Sequence, residues 1–85
     1  MLTIYTTWQG PGVALPPMFC LCRWLLDLEA LPYEEQYAPE RVVALTQGKC
    51  RVGQDFLIVS QDGACVVRDI YGLAKWIEAR GLKRV

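Results

Sequence analysis

Phe56-Leu57-Ile58-Val59-Ser60-Gln61-Asp62-Gly63-Ala64-Cys65-Val66-Val67-Arg68-Asp69-Ile70 is the stretch on which the fold turns. Phe56 to Val59 is an unbroken apolar run of strand length, which predicts a buried central strand. Gln61-Asp62-Gly63 predicts a hairpin turn, because glycine takes a positive φ without a Cβ penalty. Ala64 to Val67 is then the returning strand. Asp69 stands where a carboxylate bonds the free amides of a helix N-terminus. Ile70, Leu73, Trp76 and Ile77 follow at helical spacing and predict an amphipathic last helix. Gly81 ends it, with Arg80, Lys83 and Arg84 near its negative end.

Upstream, Leu2-Thr3-Ile4-Tyr5-Thr6 alternates and predicts a first strand. Trp8-Gln9-Gly10-Pro11-Gly12 ends that strand, and Pro16-Pro17 closes the loop. Proline suits a first helical turn, where the amide it lacks would be unpaired. A helix over roughly 17–30 follows, with Met18, Leu21, Cys22, Leu25 and Leu28 or Glu29 at helical spacing and Cys22 and Leu25 on its buried stripe. Leu31-Pro32 stops it. Tyr33 to Tyr37 is a second strand, only partly buried because it carries Glu34, Glu35 and Gln36. Pro39 begins a short helix with Val42, Val43 and Leu45, capped by Gly48. The order is β-α-β-α-β-β-α. A helical crossover makes strands one and two parallel neighbours. The expected fold class is α/β: a mixed four-stranded sheet flanked by helices, in a single domain spanning residues 1–85.

The 85 residues include 9 basic and 9 acidic side chains, no histidine and 4 cysteines, and 53% are hydrophobic. That composition supports a small core and excludes a disordered tail. Zero net charge argues against broad binding to nucleic acid or an anionic membrane. The absence of histidine excludes Ser-His-Asp and Cys-His catalysis and any His-ligated metal. The stretch Met18 to Leu28 is too short and too charged to span a bilayer. No targeting signal is visible, so the expected compartment is the cytoplasm, with reduced thiols. Cys20-Leu21-Cys22, Cys50 and Cys65 do not form the two close pairs of a structural zinc site, so no metal is expected.

Several strings carry a resemblance. Met1 to Thr6 looks like the opening strand of glutaredoxins. Leu25-Leu26-Asp27-Leu28-Glu29-Ala30-Leu31-Pro32-Tyr33-Glu34 looks like the end of their first helix and the start of strand two. Phe56 to Gly63 resembles the strand and turn after that family's cis-proline. Asp69-Ile70-Tyr71-Gly72-Leu73 resembles the start of its last helix. In order and length the chain resembles the glutaredoxin form of the thioredoxin fold, with a layout most like the small phage-encoded glutaredoxins.

The resemblance implies a thiol site at the start of the first helix, where the dipole and free amides stabilise a thiolate. The family's spacing, counted back from Leu31-Pro32-Tyr33, puts its Cys-x-x-Cys on Pro16-Pro17-Met18-Phe19, so both cysteines are absent. Cys20 and Cys22 lie next to that place and are the candidate catalytic thiols. The opposing reading makes Cys22 a core residue and Cys20 a partly exposed thiol. The position of the cis-proline falls on Phe56 or Leu57, where a cis bond would cost about 3 kcal/mol, so a trans bond is expected. A glutathione-type site would draw on Lys49 or Arg51 for a carboxylate and on Asp69 for an ammonium. Phe56, Leu57 and Val67 would supply its backbone wall, and Arg68 stands where many family members are acidic. Asp69 as a plain helix cap is the opposing reading. Cys50 beside Lys49 and Arg51 is a loop thiol with a favoured thiolate or an incidental one, and Cys65 is packing.

Trp8, Pro16, Pro17, Met18 and Phe19 are a candidate partner-binding surface, because large apolar groups exposed together mark protein interfaces. The opposing reading folds them back over the small core. Two functions follow. One is thiol-disulfide exchange with glutathione or a protein through Cys20 and Cys22. The other is a non-catalytic protein-binding module, for example a phage factor acting on a host protein. Neither requires a cofactor, and glutathione is the small ligand the first implies.

Overall fold

The structure is a computed structural model that describes residues 2–9, 14–61, 63 and 66–79. The elements run β1 (Leu2–Thr6), α1 (Pro17–Leu28), β2 (Tyr33–Tyr37), α2 (Pro39–Thr46), β3 (Phe56–Val59), β4 (Val66–Val67) and α3 (Ile70–Ala79). They form an α/β unit with a four-stranded mixed sheet in the order β2-β1-β3-β4. β1 runs parallel to β2, with Leu2 opposite Tyr33, and antiparallel to β3, with Ile4 opposite Ile58. β3 and β4 are antiparallel, with Ile58 opposite Val67. The turn between them holds Gly63 at φ 74°, and its amide donates to the Ser60 carbonyl at 2.9 Å. The readings of Met1, Gly10-Pro11-Gly12, Asp62, Ala64, Cys65, Arg80, Gly81, Lys83 and Arg84 lie outside the described residues.

Alternation along the central strands separates two apolar layers. Leu2, Ile4, Phe56 and Ile58 face α1 and α3, where they pack with Phe19, Cys22, Leu26, Leu73 and Ile77. Leu57 points to the opposite face, which α2 covers with buried Val42, and the Arg41 guanidinium lies 5.4 Å from the Tyr5 ring centroid. The predicted stripe of α3 is the buried one, with Leu73 and Ile77 inside and Ile70 and Trp76 packed against the core.

The predicted stripe of α1 is corrected. Phe19, Cys22 and Leu26 are buried and Leu25 and Met18 are half-buried, whereas Leu21 and Leu28 are exposed. α1 is apolar nearly all round, so helical spacing alone admits more than one stripe. The packing of Phe19 and Leu26 on Ile4 and Phe56 selects this one.

Both helix ends are also tighter than the sequence suggests. α1 stops before Leu31-Pro32, with Ala30 left-handed at φ 56° and the Leu31 amide bonded to the Leu26 carbonyl at 2.9 Å. α2 ends on left-handed Gln47 at φ 58°, and Gly48 at φ 80° donates to the Val43 carbonyl at 2.8 Å. These six-to-one bonds satisfy carbonyls that a helix end leaves open.

Candidate functional site

α1 begins on prolines because proline's fixed φ suits a first turn. Pro16 is the N-cap, at φ −61° and ψ 141°, and no side chain caps the helix. The first intrahelical bond runs from the Cys20 amide to the Pro16 carbonyl at 3.2 Å. The segment Pro16-Pro17-Met18-Phe19 therefore occupies the helix start, where the resemblance places its thiols. Phe19 is 1% exposed, which removes it from any surface patch. Its ring meets Trp8 edge-on at 4.8 Å and Phe56 at 5.3 Å, and Trp8 lies 6.3 Å from Phe56. Three rings in edge-to-face contact fill the space beneath the helix start, a favoured aromatic geometry.

The two candidate thiols part company, because residues two apart on a helix face different directions. Cys20 is exposed and Cys22 is buried, both as free thiols. Burial first, and the nearby Asp69 carboxylate second, push the Cys22 thiol up to about 11. Burial and the raised pKa both favour the protonated form of the Cys22 thiol at neutral pH. Cys50 is a half-buried free thiol in the loop after α2.

Beside the helix start lies an open cleft of about 320 Å³, lined by Pro16, Met18, Gln54, Asp55, Phe56, Arg68 and Asp69. One wall is the tight turn at 51–55. The Arg51 amide donates to Asp55 Oδ2 at 2.9 Å, and the Asp55 amide donates to the Arg51 carbonyl at 2.9 Å. Buried Thr7 pins this turn to the end of β1. Its Oγ1 donates to the Asp55 carbonyl at 2.7 Å and accepts the Gly53 amide at 2.9 Å. Gly53 sits at φ 95°, the left-handed region open to glycine.

The other wall is the start of α3. Asp69 Oδ1 accepts the Gly72 amide at 2.7 Å, which makes Asp69 the N-cap. A Cβ on residue 72 would lie 3.2 Å from that oxygen, so glycine there lets the carboxylate close in. The Ile70 amide donates to Met18 Sδ at 3.2 Å and so ties the starts of α1 and α3 together. Arg68 spans the cleft rim, 3.5 Å from Asp55 Oδ2 and 3.4 Å from the Lys49 carbonyl. The cleft thus carries one guanidinium, two carboxylates and an apolar floor.

Of the residues singled out in the sequence, the cleft gathers Pro16, Met18, Phe56, Arg68 and Asp69. Trp8 is half-buried in the ring cluster, and Pro17 is exposed outside the lining. Lys49 and Arg51 are exposed and contribute backbone groups to the rim. Leu57 is buried on the far face of the sheet, and Val67 packs against the core. Cys20 and Cys22 line no part of the cleft. Sequence reasoning missed Gln54 and Asp55. The signal for Asp55 was the short Arg51-Val52-Gly53-Gln54-Asp55 segment, where an Asp after a glycine closes a turn on its own backbone. Among the described residues no three His, Cys, Asp or Glu side chains gather as a metal site would need, every peptide bond is trans, and no helix is long and apolar enough to cross a membrane. No family model, curated protein or solved structure matches the chain.

Proposed function

We propose that the chain is a thioredoxin-like domain of the glutaredoxin type that has given up thiol chemistry and binds a segment of another protein in the cleft beside α1. The strand order β2-β1-β3-β4, with β1 and β2 parallel and α2 on the face opposite α1 and α3, supports the thioredoxin-like reading. One observation carries the loss of catalysis: Phe19, packed against Trp8 and Phe56, fills the place where that fold keeps its second thiol. The first place is Pro16, which has no nucleophile. Cys22 is protonated inside the core and Cys20 lies outside the cleft, so neither stands in for them.

Binding chemistry survives in the same place. Pro16, Met18 and Phe56 offer apolar contact, Arg68 offers a donor pair for a carbonyl or carboxylate, and Asp69 offers an acceptor. An extended peptide matches that mixture, as side chains seat on the floor and backbone groups meet the rim. A cleft of this volume takes a few residues.

The test has two arms. Peptides selected from a displayed random library against the full chain are titrated into wild type, Met18→Glu and Arg68→Glu. Binding lost by about tenfold or more in both variants supports the cleft, and unchanged binding sinks it. In parallel, reduction of a mixed disulfide of glutathione and cysteine is compared for wild type and Cys20→Ser. Equal background rates support the non-catalytic reading. Turnover that disappears in Cys20→Ser favours the thiol-exchange reading instead.

A further inference from the structure

Among the described residues, Met18 is the one sulfur-bearing side chain that lines the cleft. It is half-buried, touching the core on one side and the cleft on the other. Its sulfur accepts the Ile70 amide at 3.2 Å, across 52 residues of sequence. That amide opens α3, where a helix has no internal acceptor for it. α3 therefore has two caps: the Asp69 carboxylate takes the Gly72 amide at 2.7 Å, and the Met18 thioether takes the Ile70 amide. A thioether is a weak acceptor. The tie between the starts of α1 and α3 thus depends on a sulfur whose chemistry can change.

A thioether is also the group in this lining that a peroxide oxidises, since the rest are Pro16, Gln54, Asp55, Phe56, Arg68 and Asp69. Hydrogen peroxide is small enough to enter an open cleft of about 320 Å³. A sulfur lone pair attacks one peroxide oxygen, an S–O bond forms and the O–O bond breaks. The displaced hydroxide takes the remaining proton and leaves as water. Sulfur gives up two electrons and becomes a sulfoxide. The new oxygen has no room on the Ile70 side. An amide donates to an oxygen at about 2.9 Å, and here the sulfur itself is only 3.2 Å away. An oxygen between them would force the starts of α1 and α3 apart, against the packing of Phe19, Cys22, Leu26, Leu73 and Ile77. The sulfoxide therefore turns into the cleft. Ile70 loses its cap, and a polar group joins the floor that Met18 shares with Pro16 and Phe56.

We propose that Met18 is an oxidation site, at which a peroxide converts the thioether to a sulfoxide, frees the Ile70 amide and weakens peptide binding in the cleft. The effect on binding rests on the peptide reading given above, whereas the oxidation and the loss of the Ile70 bond rest on the geometry alone. Return to the thioether takes two electrons and two protons from thiols through a sulfoxide reductase, and the oxygen leaves as water.

The full chain is treated with hydrogen peroxide and then with dithiothreitol, which returns sulfenic acids and disulfides to thiols and leaves a sulfoxide in place. Peptide mass mapping should find one added oxygen on Met18. Hydrogen exchange at the Ile70 amide, followed by NMR, should speed up about tenfold, the size of one lost hydrogen bond. Affinity for a library-selected peptide should fall about tenfold, because a polar group must then be buried under it. Methionine sulfoxide reductases for both epimers should reverse both changes. Met18→Leu, which keeps the volume, should show neither change on peroxide treatment, whatever its starting values. If that variant does not fold, reversal by the reductases carries the assignment to Met18. Met18 left unmodified where free methionine is oxidised overturns the proposal. So does Ile70 exchange that is equal in the two forms, or a change that Met18→Leu shows as well. Faster Ile70 exchange with unchanged peptide affinity overturns the binding reading of the cleft and supports the oxidation site.

Discussion

The hydroxyl of Thr7 donates to the backbone carbonyl of Asp55 at 2.7 Å, joining the end of β1 to the cleft wall across 48 residues of sequence. The same oxygen accepts the Gly53 amide, so one buried side chain satisfies two backbone groups of the turn. Thr7→Val keeps the shape and removes both bonds. It should cost about 2 kcal/mol, since both backbone groups lose their partner on the buried side. Thr7→Ser should cost less. Urea unfolding gives the comparison, and hydrogen exchange at the Gly53 amide should speed up in the valine variant alone.

The Cys22 thiol makes stability depend on alkaline pH. The native protein holds its proton up to about 11, because of burial and then Asp69, whereas the unfolded chain releases it near the ordinary 9.0. Between those values the unfolded state binds fewer protons, so stability falls as pH rises. The contribution is intact below about pH 9 and should shrink by roughly 2–3 kcal/mol toward pH 11. Unfolding free energies of wild type and Cys22→Ala, compared across that window, cancel the other titrating groups. Parallel profiles would contradict the assignment. Asp69→Asn should move the step to lower pH.

Ala30 ends α1 in the left-handed conformation at φ 56°. A Cβ there is penalised by about 1 kcal/mol relative to glycine. Ala30→Gly should therefore stabilise the protein by about 0.5–1 kcal/mol. Thermal melts check this, and an unchanged or lower melting temperature would count against the left-handed cap.

Phe19 separates the buried face of α1 from the exposed one. Phe19→Ala empties the middle of the ring cluster and should cost about 3–4 kcal/mol, a large part of what a domain of this size has. Leu21→Ala, two residues on, should stay within about 0.5 kcal/mol in dilute solution. Denaturant midpoints of equal size for the two variants would show that the faces are misassigned.

Parts of the fold were legible because local patterns carry them. The Phe56–Val59 run has the length and uniform apolarity of a strand covered on both sides, and Gly63 supplies the positive φ of the turn. Asp69 at the start of the Ile70, Leu73, Trp76, Ile77 stripe announced both a cap and the buried face. α1 was legible as a helix but not as an oriented one. Met18, Phe19, Leu21, Cys22, Trp24, Leu25, Leu26 and Leu28 wrap around it, and periodicity cannot choose a face when several are apolar. The candidate site followed the same division. Met18, Phe56 and Asp69 were readable from the resemblance, whereas Asp55 depends on a partner at Thr7 that no local pattern links to it.

The sequence alone therefore determined the element order, the mixed sheet and the absence of a Cys-x-x-Cys motif, because each rests on the spacing of neighbouring residues. Only the tertiary structure decided what packs beneath the start of α1. Trp8, Phe19 and Phe56 are far apart in the chain and meet because β1, α1 and β3 converge on one layer of the core. That convergence turns Phe19 from a surface candidate into a buried plug and puts Cys22 rather than Cys20 inside. It also leaves a cleft walled by residues from the 51–55 turn and the start of α3, a proximity that long-range packing creates.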